Sequence, residues 1–301
     1  MRFAQSISSA SLRALLLAAA TGFAACAGAA PAEQAPPRGL PSGVFPVPSS
    51  TSPPPSAAPA PKHRHLAFGT PRPLTPKRTS EILLDRGEFV VSYDEQIHLA
   101  RWVAWSVRKS DLGKAKRKNV FHPDTELPEG LLRIDTSDYV RSGYDRGHLC
   151  PSADRTATAE ANHRTFLMTN MHAQKHGLNA GPWEELEGHT RDLLRRPEDV
   201  VYVVAGPLVD AAPPRIGRGV AVPRASYKVL IATKDGVPAA DIRDTVYHAA
   251  AIMPNDDSAE TQHWRTYETS IREVEQAAGY DFFADIAADV QERIETKRGM
   301  P

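Results

Sequence analysis

Eleven of the chain's 26 prolines fall within residues 31–62, with Ser, Ala and Thr filling most of the space between them. Proline fixes φ and removes a backbone donor, and this stretch has almost nothing apolar to bury, so it cannot build a core. It reads as a semi-rigid tether that would reach roughly 100 Å if mostly polyproline II. A fold must therefore be made from the residues C-terminal to it. Its start is expected between Leu66 and Ile82, and no second linker or repeat interrupts the rest. One domain over 66–301, preceded by a tether over 26–65, is the economical reading.

The chain's first residues read as an export signal. Arg2 and Arg13 are the only charges ahead of the apolar run 14–20, which is too short to anchor across a bilayer. Gly22-Phe23-Ala24-Ala25-Cys26 is similar to a bacterial lipoprotein cleavage box, with Phe23 where Leu is usual. On that reading residues 1–25 are removed and Cys26 carries the lipid. Ordinary cleavage near residues 27–30 is the other reading. Either way the expected location is outside a bacterial cytoplasm: outer-membrane lipoprotein, periplasm or exterior. Membrane contact would come only through an N-terminal lipid.

Charge gives no overall footprint for a polyanion, since Lys+Arg and Asp+Glu both number 36. It does give a local one. Residues 101–120 hold seven basic side chains against one acid, Asp111. A solvated loop would explain such a run, but its place just ahead of the main motif favours a phosphate-facing surface. Only Cys26 and Cys150 are present, so disulfides do not staple this fold.

The residues that carry chemistry are concentrated in one region. Asp145-Arg146-Gly147-His148 is followed by Leu178-Asn179-Ala180-Gly181-Pro182-Trp183. A neutral imidazole such as His148 can take a proton from water near neutral pH. Arg117 offers a planar fork able to grip phosphate oxygens and follow developing charge. Asp145 and Arg146 read as scaffold. Cys150 reads as a small buried residue, Phe121 as packing and His122 as surface. A strand over 165–171 is expected to end at Asn170. Asn179 is expected just ahead of a helix over 183–196, with Trp183, Leu186, Leu193 and Leu194 facing the core and Glu187 and Arg191 paired on another face. Further strands are read at 88–93, 101–107, 200–206, 227–231 and 246–252, and a helix at 264–278. Hydrolysis of a phosphodiester needs a base for the water and charge at the departing oxygen. Mg²⁺ keeps most of its waters, so one Asn carbonyl with Glu187 behind it can suffice as protein ligands.

At these residues the chain resembles the DNA/RNA non-specific endonucleases of the ββα-metal superfamily. The Asp145–His148 signature, Thr169-Asn170-Met171, the Asn179–Trp183 run with Glu187, and Arg117 with Phe121 carry the likeness. So do Tyr227–Ile231, Ile252-Met253-Pro254-Asn255 and Gly279–Phe283. The resemblance implies an α/β fold with a central antiparallel sheet, flanking helices and a ββα-metal finger. It implies His148 as general base, Asn179 as the direct ligand of Mg²⁺ (Mn²⁺ as substitute), Glu187 on the ion's waters and Arg117 on the transition state. Asn170, Arg146 and Arg191 take supporting places. DNA and RNA are the implied substrates, cut to 5′-phosphate ends. Ala173 stands where the family usually has Pro, and Lys175-His176-Gly177 also departs, in what reads as a loop.

Two other readings compete. Cys150, His163, His172 and His176 are zinc-ligand types, but no paired-Cys knuckle accompanies them. A catalytically silent, surface-tethered nucleic-acid binder would explain the basic run alone. It would survive EDTA and His148→Ala, whereas an enzyme would lose turnover to both.

Overall fold

The computed structural model describes residues 63–76 and 80–299; the export signal, Cys26 and nearly all of the tether lie outside them. The described fold opens with a two-residue strand, β1 (Arg72–Pro73), and an antiparallel meander of β2 (Glu81–Asp85), β3 (Val90–Asp94) and β4 (Leu99–Arg108). Strand β5 (Asp145–His148), helix α1 (Ala159–Arg164) and strand β6 (Met171–Gln174) come next, then the helical turn α2 (His176–Leu178) and helix α3 (Glu184–Asp192). After these lie β7 (Asp199–Leu208), a small ribbon of β8 (Arg215–Ile216) and β9 (Val220–Ala221), β10 (Ala225–Lys234), β11 (Tyr247–Pro254) and β12 (Glu268–Thr269). Helix α4 (Ile271–Ala278), β13 (Tyr280–Asp281) and helix α5 (Ala288–Glu295) complete it.

Seven strands form one antiparallel sheet in the order β12-β11-β10-β7-β4-β3-β2. Its central strands are apolar on both faces because both faces are covered. Side chains alternate across a strand, so Val103, Trp105, Val107, Val201, Val203 and Leu230 enter one core, with Trp183 and Leu186 of the helical segment. Trp102, Ala104, Val200, Tyr202, Val204 and Val229 enter the opposite core, against Val274 of α4 and Val290 and Ile294 of α5. Each fully buried large side chain contributes about 1.5–3 kcal/mol by removal from water, which fixes the strand register.

Packing begins ahead of the expected start at Leu66. His65 is buried, its ring bonded to Ser106 Oγ (3.1 Å) and the Gly87 carbonyl (2.9 Å).

Several sequence expectations are corrected. Residues 165–170 make no strand; Met168–Asn170 is a 3₁₀ turn, and the strand begins at Met171. The helix expected at 183–196 runs only Glu184–Asp192. The one expected at 264–278 is broken. Glu268–Thr269 pairs with β11 instead, and Ser270 caps α4 reciprocally with Glu273. His176 and Gly177 lie in a helical turn, not a loop. His122 is half-buried, its ring stacked on His163 at 4.2 Å.

Candidate active site

Strands β5 and β6 pair antiparallel, with Gly147 opposite His172 and His148 opposite Met171. The pairing explains the glycine: a Cβ on Gly147 would stand 1.8 Å from Gln174 Oε1. Any side chain there would have to displace the buried Gln174 side chain that lies over Gly147. From β6 the chain turns through α2 into a wide turn, Asn179–Trp183, bent at Gly181, and then enters α3. The β5–β6 ribbon and α3 are the expected ββα finger, set against one face of the sheet.

Two backbone locks hold His148 in place. Its carbonyl accepts from Trp183 Nε1 at 3.0 Å, tying β5 to the start of α3. Asn170, fully buried, bonds the two residues that come after His148: its carbonyl accepts from Leu149 N (3.0 Å) and its Oδ1 from Cys150 N (2.9 Å). Its Nδ2 donates to the carbonyls of Cys150 and Thr165, each at 2.8 Å. Asn170 is thus a brace with every polar atom of its side chain used.

The His148 ring is only 7% exposed, lies edge-on to Phe166 (centroids 4.9 Å apart) and touches Phe121. Its Nε2 has no hydrogen-bond partner among the described residues. Burial, with lesser contributions from Arg117 and His172, lowers its pKa to about 3. The imidazole is therefore neutral; Nε2 is shut off from solvent, so the other ring nitrogen, Nδ1, is the one left to meet water as a proton acceptor.

A cleft of about 170 Å³ is lined by Arg117, Arg146, His148, Asn179, Glu187 and Arg191 among others. The structure thus brings together the dispersed residues singled out in the sequence. Asn170 stands behind them, and Asp145 beside Asn179. A larger cavity, about 960 Å³ and bordered by Leu193, Ile242, Val246 and Tyr247, lies elsewhere. It is wider, but lacks this convergence of an uncommitted base with a carboxamide, a carboxylate and guanidiniums.

Each cleft residue has a traceable support. Asp145 Oδ2 accepts from Asn179 Nδ2 at 3.1 Å and contacts His176 Nδ1 at 2.8 Å. The first bond commits the amide nitrogen of Asn179 and leaves its carbonyl oxygen for a ligand. Arg146 lies over the Phe121 ring at 4.5 Å, and Arg117 over Phe166 at 5.5 Å while bonding Asn119 Oδ1. The His176-Gly177 departure is accommodated by the sheet side. Gly177 N bonds Asp257 Oδ1, and Lys175 N bonds Asn255 Oδ1 at 2.7 Å. A Cβ on Gly177 would meet the Asp257 carbonyl at 2.3 Å, so only glycine permits this approach.

One expected pair is not formed. Glu187 does not bond Arg191; Arg191 reaches Asp154 Oδ1 at 3.0 Å, and Glu187 Oε1 lies 3.5 Å from Lys228 Nζ on β10. Long-range partners beat the helical i,i+4 neighbour because they are buried: the Lys228 side chain is 1% exposed and Asp154 1%. The Lys228 ammonium also lies over the Trp183 ring at 4.0 Å. Burial lifts the Glu187 pKa to about 7 against the pull of Lys228, and burial lowers that of Lys228 against the pull of Glu187. Lys228 and Asp154 were missed by sequence reasoning. The signal for Lys228 was a lone cation inside an otherwise apolar strand.

The donor set is hard: a free carboxamide oxygen and a carboxylate, with room for water. That suits an oxygen-seeking divalent cation. It does not suit zinc. His172 is buried against Ser226 and Trp183, His163 stacks on His122, His176 bonds Asp145, and Cys150 is an inert buried thiol pushed up by burial. These four candidate zinc ligands are not gathered into one site among the described residues.

The sheet, the ribbon-helix finger and the cleft define a nuclease of the ββα-metal class. Residues 72–289 match the family model of DNA/RNA non-specific endonucleases. A nuclease of Nostoc sp. strain PCC 7120 is 38% identical over 236 residues, covering 77% of this chain and 85% of that one. A nuclease of Syncephalastrum racemosum is 33% identical, covering 72% and 70%. Among solved structures, EndoG in its complex with EndoGI superposes with a TM-score of 0.62 at 26% identity, over 76% of this chain and 94% of that one. The chain belongs to the DNA/RNA non-specific endonuclease family, metal-dependent hydrolases of nucleic acids.

Proposed function

We propose that this chain is an exported endonuclease, lipid-anchored through Cys26 or freely secreted, that hydrolyses DNA and RNA with Mg²⁺ and leaves 5′-phosphate ends. The observation that carries the mechanism is the neutral His148 ring on the wall of the cleft, beside an Asn179 whose amide is fixed by Asp145. His148 takes the proton of the attacking water at Nδ1, the ring nitrogen not sealed in the core, and later releases it to solvent. Arg117 grips the phosphate oxygens as charge builds on them. Asn179 Oδ1 and, through water, Glu187 would hold the cation. Bound there, Mg²⁺ (or Mn²⁺) neutralises charge on the phosphate and the departing 3′ oxygen. Asp145 sets the Asn179 amide, Asp154 sets Arg191, and Arg146 and Asn170 keep the His148 strand in place.

Plasmid and RNA cleavage by the purified full chain, with Mg²⁺ and with EDTA, beside His148→Ala, tests this. Loss of cutting in both controls with 5′-phosphate products supports it. Folded protein that binds DNA but never cuts, with Mg²⁺ or Mn²⁺, replaces it with the silent-binder reading. Export is supported by residues 1–26 alone; a Cys26→Ala chain that stays with the membrane fraction would remove the lipid anchor from the proposal.

A further inference from the structure

Two side chains of the α2 turn reach one oxygen. His176 opens the turn and Asn179 ends it, a spacing that puts both on the same side. His176 Nδ1 stands 2.8 Å from Asp145 Oδ2, and Asn179 Nδ2 donates to that same oxygen at 3.1 Å. An ionised carboxylate only accepts, so the imidazole nitrogen is the donor whether the ring is neutral or protonated. A carboxylate oxygen has about two acceptor sites, and these two donors fill both on Oδ2.

The backbone of the turn is held independently of that contact. Asp145 lies opposite Gln174, the last residue of β6, where the chain enters the turn. Lys175 N donates to Asn255 Oδ1 at 2.7 Å and Gly177 N to Asp257 Oδ1 at 3.1 Å. The residues on either side of His176 are thus tied to the segment that follows β11. Asn179 N donates to the Lys175 carbonyl at 2.9 Å. His176 therefore meets Asp145 from a fixed backbone, although its side chain is 71% exposed and that of Asp145 38%.

A contact so open to water contributes little to folding. Its effect falls on direction. Bonded to Asn179 alone, the Asp145 carboxylate could turn about its side-chain bonds and carry the amide with it. A second donor from a held backbone fixes the carboxylate plane. It also occupies Oδ2, so that Asn179, which lines the cleft, offers a neutral carbonyl oxygen there with no competing negative oxygen from Oδ2.

We propose that His176 is a positioning residue for Asn179: it holds Asp145 in the orientation that turns the Asn179 carbonyl oxygen towards the divalent cation. The proposal rests on the reading of Asn179 as the cation's ligand.

The test is Mn²⁺ binding to the purified full chain without nucleic acid, read by electron paramagnetic resonance of the free ion. The parent is compared with Asn179→Ala, Asp145→Ala, His176→Ala, His176→Asn and Asp145→Ala/His176→Ala. His176→Ala should weaken binding about 3–10-fold, less than Asp145→Ala does, with Tm unchanged within about 1 °C. His176→Asn, whose amide nitrogen takes the place of Nδ1, should restore most of the affinity. In the Asp145→Ala background the second substitution should add nothing, because His176 acts only through Asp145. Parent affinity in His176→Ala, or an equal loss with and without Asp145, overturns the proposal. DNA binding in EDTA is the second readout, and His176→Ala should keep the parent's affinity and salt slope. A salt slope smaller by about one, with Mn²⁺ binding unchanged, would make His176 a phosphate contact instead. Asn179→Ala separates the two levels. If it binds Mn²⁺ as the parent does, the assignment of Asn179 as ligand falls and takes the role of His176 with it. If it loses Mn²⁺ while His176→Ala matches the parent, only the role of His176 falls.

Discussion

Lys228→Met should destabilise the protein by an amount that grows with pH. The Lys228 ammonium sits 3.5 Å from Glu187 and 4.0 Å from the centre of the Trp183 ring, with almost no solvent around it. Removing one partner of a buried pair costs about 3–5 kcal/mol when the other must remain charged. Glu187 has an escape, since it can take a proton. Its pKa is already about 7 with Lys228 present, so without Lys228 it must lie higher. At pH 7 the variant therefore buries a neutral acid. The loss is then about 2 kcal/mol, mainly the cation–ring contact and packing. Above pH 7 the parent's Glu187 is ionised both folded and unfolded. In the variant the folded state keeps a proton that the unfolded state, near the ordinary carboxylate pKa, has lost. Stability then falls by about 1.4 kcal/mol per pH unit until the new pKa is passed. By about pH 8.5 the gap should approach 4 kcal/mol. Urea unfolding in EDTA at about pH 7 and pH 8.5 reads this directly. Lys228→Met/Glu187→Gln, lacking both charges, should show a gap that does not move with pH. A pH-independent loss in the single variant would refute the claim that Lys228 is what lets Glu187 ionise.

Other consequences are open to measurement. Gly147→Ala drives a Cβ into Gln174 and should cost about 1–3 kcal/mol, read as a lowered urea midpoint, together with most of the activity. An unchanged midpoint would mean the Gln174 side chain moves aside freely. Asp145→Ala frees the Asn179 amide and should weaken apparent Mg²⁺ affinity about 10–100-fold with little change in Tm, since Asp145 is partly exposed. Equal Mg²⁺ dependence in variant and parent would remove Asp145 as the support. His65, His148 and His172 are held neutral by burial, with pKa values lowered to about 2, 3 and 3. The unfolded chain binds these protons first, so their contribution to stability is lost as pH falls from about 6.5 towards 3. His65→Gln should flatten that fall in a Tm-against-pH series; an unaltered slope would show that His65 is not one of the groups responsible.

How much was legible in the sequence depended on whether a residue's partners were local. The sheet strands at 88–93, 101–107 and 200–206 were readable within a residue or two, since β-rich apolar runs announce buried strands. The cleft residues were readable by type: His148, Asn179, Glu187 and Arg117 are chemically specific and do converge. What was not readable was set by distant chain. The Glu187–Arg191 pairing relied on helical spacing and failed because Lys228, forty-one residues away in sequence, and Asp154 offered buried partners. The helix over 264–278 was read through its spacing. Yet Ser270-Ile271-Arg272-Glu273 is a capping box, a start signal that the apolar period overrode. Asn170 was placed at a strand end when it precedes one. Its side chain copies a backbone partner for Cys150, and periodicity does not register such a bond.

The Lys228–Glu187 contact also imposes an order on synthesis. Arg117, Asp145, His148, Asn170, Asn179, Glu187 and Arg191 all emerge from the ribosome before β7, within one short stretch of chain. The cation that balances Glu187 arrives later, on β10, which itself pairs with β7. A nascent chain can therefore display its whole catalytic alphabet while remaining electrically unfinished. Glu187 meets its buried cation only once β10 has joined β7 at the centre of the sheet.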